Sequence, residues 1–379
     1  MDLLYSLSTF LVLVHHLGLS GDCLTAAEVE QMKGDLYQQI VSSRDRFGFH
    51  PLIAGAVRVA FHDSVGGSDG CINHNNRPDN AGLLPYTTVL DNLYDQKYKN
   101  VISRADFYAL AAISALDIGE CYLFACRKTQ TVNGRLGPWH SIQFRYGRTD
   151  CDSSPGANYI RPLPQGMQDL NHVVEYFKNE YNMSDRETVA ISGVHTLGQT
   201  HRAESGFGDF TFNENPDRLD NRYFYGLVNR GWRLRERGFG DSYRFWWEHY
   251  GPRRNSPKVI NLNTDVELFI NTNQPSNASL PTCRFRNCPL ARTAPIVQEY
   301  AFNEASWIRD FSTAFQKLID LNHSNLTDPE GSAIPAAVPL VITNVGRRGR
   351  GGRGGRGGRG GYRGGRGGRG GGRGGRRGR

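Results

Sequence analysis

Apolar residues recur every three or four positions along most of this chain, which is the spacing of one buried helix face. Ser184 and Glu187 add a capping box, a typical helix start. The stretch from Cys121 to Arg161 lacks the helical period, so we expect it to be irregular. The pattern predicts a mostly α-helical protein with few strands, whose helices cover residues 25–44, 51–64, 83–94, 103–116, 164–181, 184–193, 221–231 and 295–321.

The two ends of the chain depart from this pattern. Residues 1–21 hold an apolar run followed by small residues, typical of a secretory signal peptide, with a buried first helix as the alternative. No other stretch approaches the roughly 18 apolar residues that span a bilayer. The last residues repeat Arg-Gly-Gly and should be disordered, because they cannot bury apolar surface. The predicted division is a signal peptide (1–21), a globular domain (22–326), a Pro- and Ala-rich linker (327–345) and the tail (346–379).

The positive charge of the chain is concentrated in its tail. Residues Arg347–Arg379 contain 13 arginines and no acidic residue, so the formal charge of +8 becomes +8 − 13 = −5 for the remainder. Arginine runs bind polyanions by displacing counterions. The expected partner is an extracellular polyanion if the protein is secreted, or RNA if it is intracellular. A solvated tail without a specific partner is the third option.

Two histidine-containing segments carry the candidate chemistry. Arg58 and His62 stand four residues apart, hence on one face of a predicted helix. His195 stands between small residues, where a flat group could approach closely, although a lone histidine is often a hydrogen-bonded core residue. Three further motifs accompany these segments: Asn80-Ala-Gly-Leu, Tyr146-Gly-Arg-Thr-Asp150 and Asn263-Thr-Asp265.

In order and spacing these motifs resemble those of the plant-type (plant, fungal and bacterial) haem peroxidase superfamily, over roughly residues 26–321. Residues 195–207 are most similar to the ascorbate and cytochrome c peroxidases. The resemblance implies a two-lobed helical fold with haem b between a distal and a proximal lobe. It implies that His195 ligates the haem iron and that Asp265 accepts a hydrogen bond from the His195 ring. It also implies an enzyme that reduces hydrogen peroxide and oxidises a second substrate.

The resemblance assigns catalytic roles to three distal residues. His62 would take a proton from hydrogen peroxide and return it to the departing oxygen, as a general base and then a general acid. Arg58 would stabilise the negative charge that develops as the O–O bond breaks. Asn80 would hold the required tautomer of His62. His74 replaces a glutamate that often supports this loop in the family, which puts the outer support of the loop in doubt.

Three positions narrow the choice of electron donor. Phe61 and Phe212 are expected to line the haem, where cytochrome c peroxidases carry tryptophans, the second of which forms a radical. Phenylalanine is oxidised less readily, so neither position should hold a protein radical. Glu204 stands where ascorbate peroxidases carry an arginine that binds ascorbate, and its charge would repel that anion. The implied donor is a small aromatic or phenolic compound.

The resemblance also implies two cation sites, for which turn-capping Asp and Asn residues are the alternative explanation. The distal one would bind Ca²⁺ through Asp63, Asp69 and the carbonyl of Gly67, but Cys71 replaces its hydroxyl ligand. The proximal one has a single carboxylate, so K⁺ fits as well as Ca²⁺, and its ligands would be Thr196, Asn213, Asn215 and Asp220.

Cysteine content and glycosylation motifs bear on the compartment. Seven cysteines fit an oxidising environment, and Cys23 is the candidate free thiol. The candidate disulfides are Cys71–Cys151, Cys121–Cys126 and Cys283–Cys288. Secretion also agrees with four N-x-S/T sequons, at Asn182, Asn277, Asn322 and Asn325. We therefore expect an extracellular protein.

Three hypotheses about function remain. The first is a secreted haem peroxidase that oxidises small aromatic or phenolic donors and is tethered by its cationic tail. The second is a non-enzymatic extracellular protein that binds polyanions on a peroxidase scaffold. Against it stands the joint presence of Arg58, His62, Asn80, His195 and Asp265. The third is an intracellular, RNA-associated peroxidase, which requires that residues 1–21 form a helix rather than a signal.

Overall fold

The computed structural model describes residues 23–65, 67–74, 78–120, 130–132, 135–137, 140–151, 163–238, 240–250, 258–276 and 278–332. The predicted signal peptide, the Arg347–Arg379 tail, Cys121, Cys126 and Asn277 lie outside these residues. The chain divides into two units after Ile334, and all of the described residues belong to the first.

Helices dominate the described part of the chain, which confirms the predicted mostly α-helical class. The helices are α1 (Ala26–Ser42), α2 (Leu52–Ser64), α3 (Leu84–Lys97), α4 (Arg104–Glu120), α5 (Leu170–Tyr181), α6 (Asp185–Ser192), α7 (Arg202–Ser205), α8 (Arg222–Asn229), α9 (Asn263–Val266), α10 (Ala294–Phe302) and α11 (Glu304–Ile319). Strands β1 (Gln130–Val132) and β2 (Arg135–Gly137) form an antiparallel hairpin. A second antiparallel sheet has the order β3 (Arg233–Arg237), β4 (Arg244–Tyr250) and β5 (Lys258–Asn261).

Capping residues set the helix boundaries where the spacing of apolar residues did not. The predicted capping box is confirmed, since Ser184 and Glu187 exchange hydrogen bonds at the start of α6. Helix α5 begins at Leu170 rather than at residue 164, because the Asp169 side chain accepts from the backbone N–H of His172. The helix predicted over 295–321 is divided at Asn303, whose side chain caps α11.

The central helix of the described core is α4, which is buried along most of its length. Helix α2 packs mainly against α4, and α11 packs against α6. Helix α1 adds Val29, Met32, Leu36 and Ile40, which lie three or four residues apart and are all buried. These contacts hold α2 and the end of α6, the two elements that carry the histidine segments, in fixed positions.

Residues 146–150, the Tyr-Gly-Arg-Thr-Asp motif, connect α4 to α11 through polar contacts. The side chain of Arg148 is fully buried and donates to Asp106 Oδ1 at 2.8 Å and to Asp320 Oδ1 at 3.0 Å. The carboxylate of Asp150 accepts from the backbone N–H groups of Arg104 and Ala105, the first residues of α4. A buried guanidinium needs such partners, so the motif stabilises the packing of these helices.

The end of the described region departs from the predicted linker. Thr327 exchanges backbone hydrogen bonds with Tyr146, and the backbone of Glu330 pairs with Leu24 and Ala26. The first residues of the predicted 327–345 linker therefore belong to the globular unit. None of the described helices combines the length and the apolar composition needed to cross a bilayer.

Two of the candidate disulfides lie within the described residues, and both are formed. Cys71 is bonded to Cys151 and Cys283 is bonded to Cys288, whereas Cys23 is a free, exposed thiol. The first bond fixes the loop after α2 to the Asp150 turn. The second closes a short loop before α10.

Candidate active site

Helix α2 presents Arg58 and His62 on one face, as their spacing predicted. The Nε of Arg58 donates to His62 Nε2 at 3.3 Å, and its Nη2 donates to the carbonyl of Ala81 at 2.9 Å. Both side chains are only partly buried, although the opposite face of α2 is buried in the core. Two polar side chains are thus held by a rigid helix beside the loop that contains Ala81.

The tautomer of His62 follows from its hydrogen bonds. Its Nδ1 lies 2.9 Å from Asn80 Oδ1, and an amide oxygen can only accept. The orientation of the Asn80 amide is fixed because its Nδ2 donates to the carbonyl of Asn73 at 2.8 Å. His62 therefore carries its proton on Nδ1, which leaves Nε2 as an acceptor, in agreement with the contact from Arg58.

The loop around Asn80 has support that the sequence left in doubt. His74 Nε2 lies 3.1 Å from the hydroxyl of Thr87 on α3, so this position binds the loop to a helix without a glutamate.

Phe61 packs against Phe177 of α5, with ring centroids 6.3 Å apart. It also lies edge-on to the adjacent His62 ring. These contacts restrict the movement of the distal imidazole.

Glu204 lies on the distal side, close to Arg58. A Cβ built on Gly82 would be 2.9 Å from Glu204 Cγ and 3.5 Å from Arg58 Nη1, so both side chains adjoin the same glycine. Burial lowers the pKa of Arg58 below its usual value, an effect partly offset by Tyr86 and Glu204. The carboxylate of Glu204 therefore contributes negative potential at the edge of the distal cluster.

The proximal histidine is oriented by a buried carboxylate. His195 lies in a 3₁₀ turn, Gly193–Thr196, directly after α6, and its Nδ1 is 2.7 Å from Asp265 Oδ1. The side chain of Asp265 is only 2% exposed, whereas that of His195 is 37% exposed. The backbone N–H of Leu262 donates to the other oxygen of Asp265 at 2.7 Å. The predicted pairing of His195 with Asp265 is therefore present.

Packing around His195 fixes the plane of its ring. The ring of Phe212 stacks on the imidazole, with centroids 4.5 Å apart and planes within 7°. Gly193 permits the close approach of the turn to the core, because a Cβ there would lie 2.5 Å from Trp307 Nε1 and 2.6 Å from Phe224. A side chain at Gly193 would displace the turn that carries His195.

Tyr223 is a member of this cluster that the sequence reasoning missed. Its hydroxyl donates to Asp265 Oδ1 at 2.8 Å, the same oxygen that accepts from His195. Burial and the adjacent Asp265 raise the pKa of Tyr223 well above its usual value, so the phenol stays protonated and remains a donor. The sequence contained a weak signal, since Tyr223 lies inside the apolar spacing of α8.

The distal and proximal clusters belong to touching parts of the molecule. Gly198, three residues after His195, has a φ of +76°, and a Cβ there would lie 2.7 Å from the Cβ of Ala54 on α2. Glu204 of α7 likewise adjoins Gly82 in the distal loop. The two histidine segments, separated by more than 130 positions in sequence, are thus brought together by direct contacts.

The predicted ligands of the distal calcium site accept hydrogen bonds from other groups of the protein. His323 Nε2 lies 2.9 Å from the carbonyl of Gly67 and 3.1 Å from that of Ser68, and carbonyls can only accept. Asp63 Oδ1 accepts from the backbone N–H of Gly70, and Asp69 Oδ1 accepts from that of Cys71. Burial and the nearby Asp69 raise the pKa of Asp63 to about 8. The three predicted ligands thus lie in one turn, which accepts hydrogen bonds from the His323 imidazole and from its own backbone.

The four predicted proximal ligands lie close together. Thr196 Oγ1 is 3.4 Å from Asp220 Oδ1, and Asn213 Nδ2 donates to the backbone oxygen and hydroxyl of Thr196. The backbone N–H of Asn215 donates to Asn213 Oδ1. The side-chain oxygen of Asn215 is buried without a hydrogen-bond partner among the described residues. A buried acceptor in that state, in a group of oxygen-bearing residues that also includes Asp220, is the kind of observation that a bound cation would explain.

Comparison with known proteins agrees with this geometry. The sequence profile of a family described as "Peroxidase" matches residues 38–276, which include every residue of both histidine clusters. The mitochondrial cytochrome c peroxidase of Candida glabrata is 28% identical over 286 residues, 72% of this chain and 65% of that protein. L-ascorbate peroxidase 2, cytosolic, of Oryza sativa subsp. japonica is 35% identical over 150 residues, 40% of this chain and 50% of that protein.

A third relative, L-ascorbate peroxidase 5, peroxisomal, of Arabidopsis thaliana, is 30% identical over 213 residues. These residues make up 53% of this chain and 64% of that protein. The chain therefore spans between half and just under two thirds of the lengths of these three relatives.

The residues present fit the haem that the family implies. The Nδ1 of His195 is engaged by Asp265, while its Nε2 has no hydrogen-bond partner among the described residues. A neutral imidazole that donates through Nδ1 to a carboxylate and keeps Nε2 free is the usual state of a metal-ligating histidine. His195 would hold the iron, and a bound haem would supply the redox chemistry.

Replacement of His195 by alanine should abolish stable haem binding, because no other described side chain replaces the Nε2 nitrogen. The Soret absorbance of the purified protein after haem reconstitution measures this loss, and added imidazole should restore it. His172→Ala is the matched control, since this half-exposed histidine of α5 is paired, within the described part of the chain, only with Asp169. Normal haem retention in His195→Ala would contradict the assignment.

Proposed function

Since the chain belongs to the peroxidase family, we propose that it is a secreted haem peroxidase that reduces hydrogen peroxide and oxidises small aromatic or phenolic donors. The observation that carries the proposal is the hydrogen-bonding state of His62. Asn80 holds the proton of His62 on Nδ1, and Arg58 contacts the basic Nε2. This arrangement supplies a general base and a fixed cation side by side.

The distal residues would act on hydrogen peroxide in a defined order. The Nε2 of His62 would accept a proton from the peroxide oxygen that stays in the haem pocket, and the resulting imidazolium would return this proton to the oxygen that leaves as water. A bound haem would supply the two electrons that this cleavage of the O–O bond requires. The guanidinium of Arg58, which is held in place by hydrogen bonds to Ala81 O and Asp79 O, would stabilise negative charge on the departing oxygen. Asn80 stabilises the imidazolium through the same amide oxygen that sets the tautomer.

Replacement of His62 by leucine should leave haem bound but slow the reaction with hydrogen peroxide by at least about 10²-fold, the usual size of general acid–base assistance. Stopped-flow mixing of the haem-loaded protein with peroxide measures this rate. The control variant His172→Leu replaces a half-exposed histidine outside the cluster and should leave the rate unchanged. A decrease below roughly tenfold in His62→Leu would mean that His62 is not the base.

The choice of donor rests on three side chains. Phe61 and Phe212 offer neither an N–H nor a readily oxidised ring, so the donor must be oxidised without a radical at these positions. Glu204 adjoins Gly82 and Arg58, where its carboxylate opposes the approach of an anion. An uncharged phenol meets no such repulsion. Both features support a small aromatic donor over ascorbate.

Reversal of the charge at Glu204 should change this preference. In Glu204→Arg the ratio of ascorbate to guaiacol turnover should rise by at least about tenfold, since a repelling carboxylate becomes an attracting guanidinium. Steady-state assays of both donors at fixed peroxide measure the ratio. Glu204→Gln, which only removes the charge, should give an intermediate value. An unchanged ratio in both variants would exclude Glu204 as a determinant of donor choice.

The proposed extracellular location has support from cysteines and sequons. Disulfides Cys71–Cys151 and Cys283–Cys288 suit an oxidising compartment. The three sequon asparagines that lie within the described residues are all exposed, namely Asn182, Asn322 and Asn325. The relatives named above are described as mitochondrial, cytosolic and peroxisomal. An extracellular location would therefore be a property of this chain rather than of the family. Residues 1–21 would direct the export.

We further propose that the Arg347–Arg379 tail tethers the enzyme to an extracellular polyanion. The rest of the chain has a formal charge of −5, so the tail is the main source of affinity for a polyanion. An intracellular enzyme with the same tail would instead bind RNA, which is the alternative function.

Deletion of residues 345–379 should leave the reaction with peroxide unchanged and strongly reduce retention on heparin at about 0.15 M salt. Chromatography of both chains over a salt gradient measures the difference. Equal retention of the truncated chain would exclude the tail as the tether. Binding of RNA but of no extracellular polyanion, together with an uncleaved leader and no N-glycans, would favour the intracellular alternative.

A further inference from the structure

A basic cleft lies between the three-stranded sheet and the loop closed by Cys283–Cys288. It has a volume of about 520 Å³, and its main side chains are Trp232, Arg233, His249, Arg284, Phe285 and Arg286. None of these residues belongs to the two histidine clusters. The cleft therefore needs an explanation of its own.

Three guanidinium groups line this cleft, and the carboxylate directly across the sheet from Arg233, that of Glu248, accepts instead from Arg235 and Trp246. Among the described residues, Arg233, Arg284 and Arg286 have no ion-pair or hydrogen-bond partner for their side chains, and the lining contains no acidic residue. Nearby arginines behave differently, since Arg230 pairs with Glu214 and Arg235 pairs with Glu248. The cleft is positively charged although the chain before its tail has a formal net charge of −5.

The loop that carries two of these arginines is fixed in place. The Cys283–Cys288 disulfide closes it, and Phe285 anchors it in the core, with its ring centroid 6.0 Å from that of Trp247. Arg284 and Arg286 flank this anchor at exposed positions. Because the loop is already ordered, binding a ligand would cost little additional conformational entropy.

The opposite wall is equally rigid. Trp232 is buried, and its indole N–H donates to the carbonyl of Gly226 at 3.2 Å. Arg233 follows it on β3, and His249 of β4 lies with its Nδ1 3.0 Å from the carbonyl of Gly231. The guanidinium of Arg286 reaches this wall, since a Cβ built on Gly231 would be 3.4 Å from its Nη2. The arginines of the two walls thus face one space.

We propose that this cleft binds a sulfate or phosphate group, either as the free ion or carried on a saccharide. A carboxylate has two oxygens and one charge, which suit a single guanidinium fork. A tetrahedral oxyanion has three or four oxygens and can accept from several forks at once. The proposal is independent of the peroxidase activity, because no residue of the cleft takes part in it.

Calorimetric titration of the full-length, haem-loaded chain tests the proposal, with inorganic sulfate, inorganic phosphate and a sulfated disaccharide as separate probes. At least one probe should bind saturably, and Arg284→Gln or Arg286→Gln should weaken that binding at least tenfold. Tighter binding of the disaccharide than of either free ion would identify the saccharide-borne group as the ligand. Equal or weaker binding would identify the free ion.

Arg237→Gln is the matched control. Arg237 is exposed, lies on the same strand as Arg233 and is about 13 Å further along it, outside the cleft. Its loss removes the same charge and should change the affinity less than twofold. All of these variants keep the arginines of the tail, so binding to the tail affects them equally.

Two results would overturn the proposal. One is the absence of saturable binding for all three probes. The other is an equal loss of affinity in Arg237→Gln and Arg286→Gln, which would indicate a general charge effect. The thermal midpoint of each variant checks its fold, and the exposed positions of Arg284 and Arg286 lead us to expect no change.

Discussion

The active site depends on one buried hydrogen bond, that between His195 Nδ1 and Asp265 Oδ1. It determines which nitrogen of His195 remains free, and hence whether the proximal side can hold a haem iron. A carboxylate that is 2% exposed is stable only with several donors, and Asp265 has three, from His195, Tyr223 and the backbone of Leu262. Through these bonds the carboxylate joins α9 to α8 and to the turn after α6.

The distal histidine is also oriented by a hydrogen bond from its Nδ1, but to a weaker acceptor. His62 donates from Nδ1 to an amide oxygen of Asn80, so its Nε2 is left as an acceptor, which Arg58 contacts. The amide carries no charge, whereas Asp265 does. This difference fits the two proposed roles: a carboxylate partner would make His195 a strong ligand, and an amide partner would leave His62 able to exchange a proton. Arg58 then adds the positive charge that the neutral pair lacks.

Charge is distributed unevenly over the rest of the molecule. Buried arginines such as Arg148 are neutralised by aspartates and stabilise helix packing. The arginines of the cleft beside the Cys283–Cys288 loop have no such partners among the described residues, and the tail contains no acidic residue at all. Arginines that are paired with carboxylates stabilise the packing of the protein, whereas arginines that lack such a carboxylate can bind an anion. The proposed tether and the proposed oxyanion cleft both rest on this distinction.

The helical class, the capping box at Ser184 and the placement of Arg58 and His62 on one helix face could all be predicted from the sequence alone. These features are local: a four-residue spacing places Arg58 and His62 on one helix face wherever the helix lies. Which distant groups meet depends on the tertiary fold. Examples are the bond from Tyr223 to Asp265, the contact of His323 with the Gly67 carbonyl, and the arrangement of three arginines around one cleft. Such contacts join residues tens to hundreds of positions apart, and no periodicity along the chain specifies them.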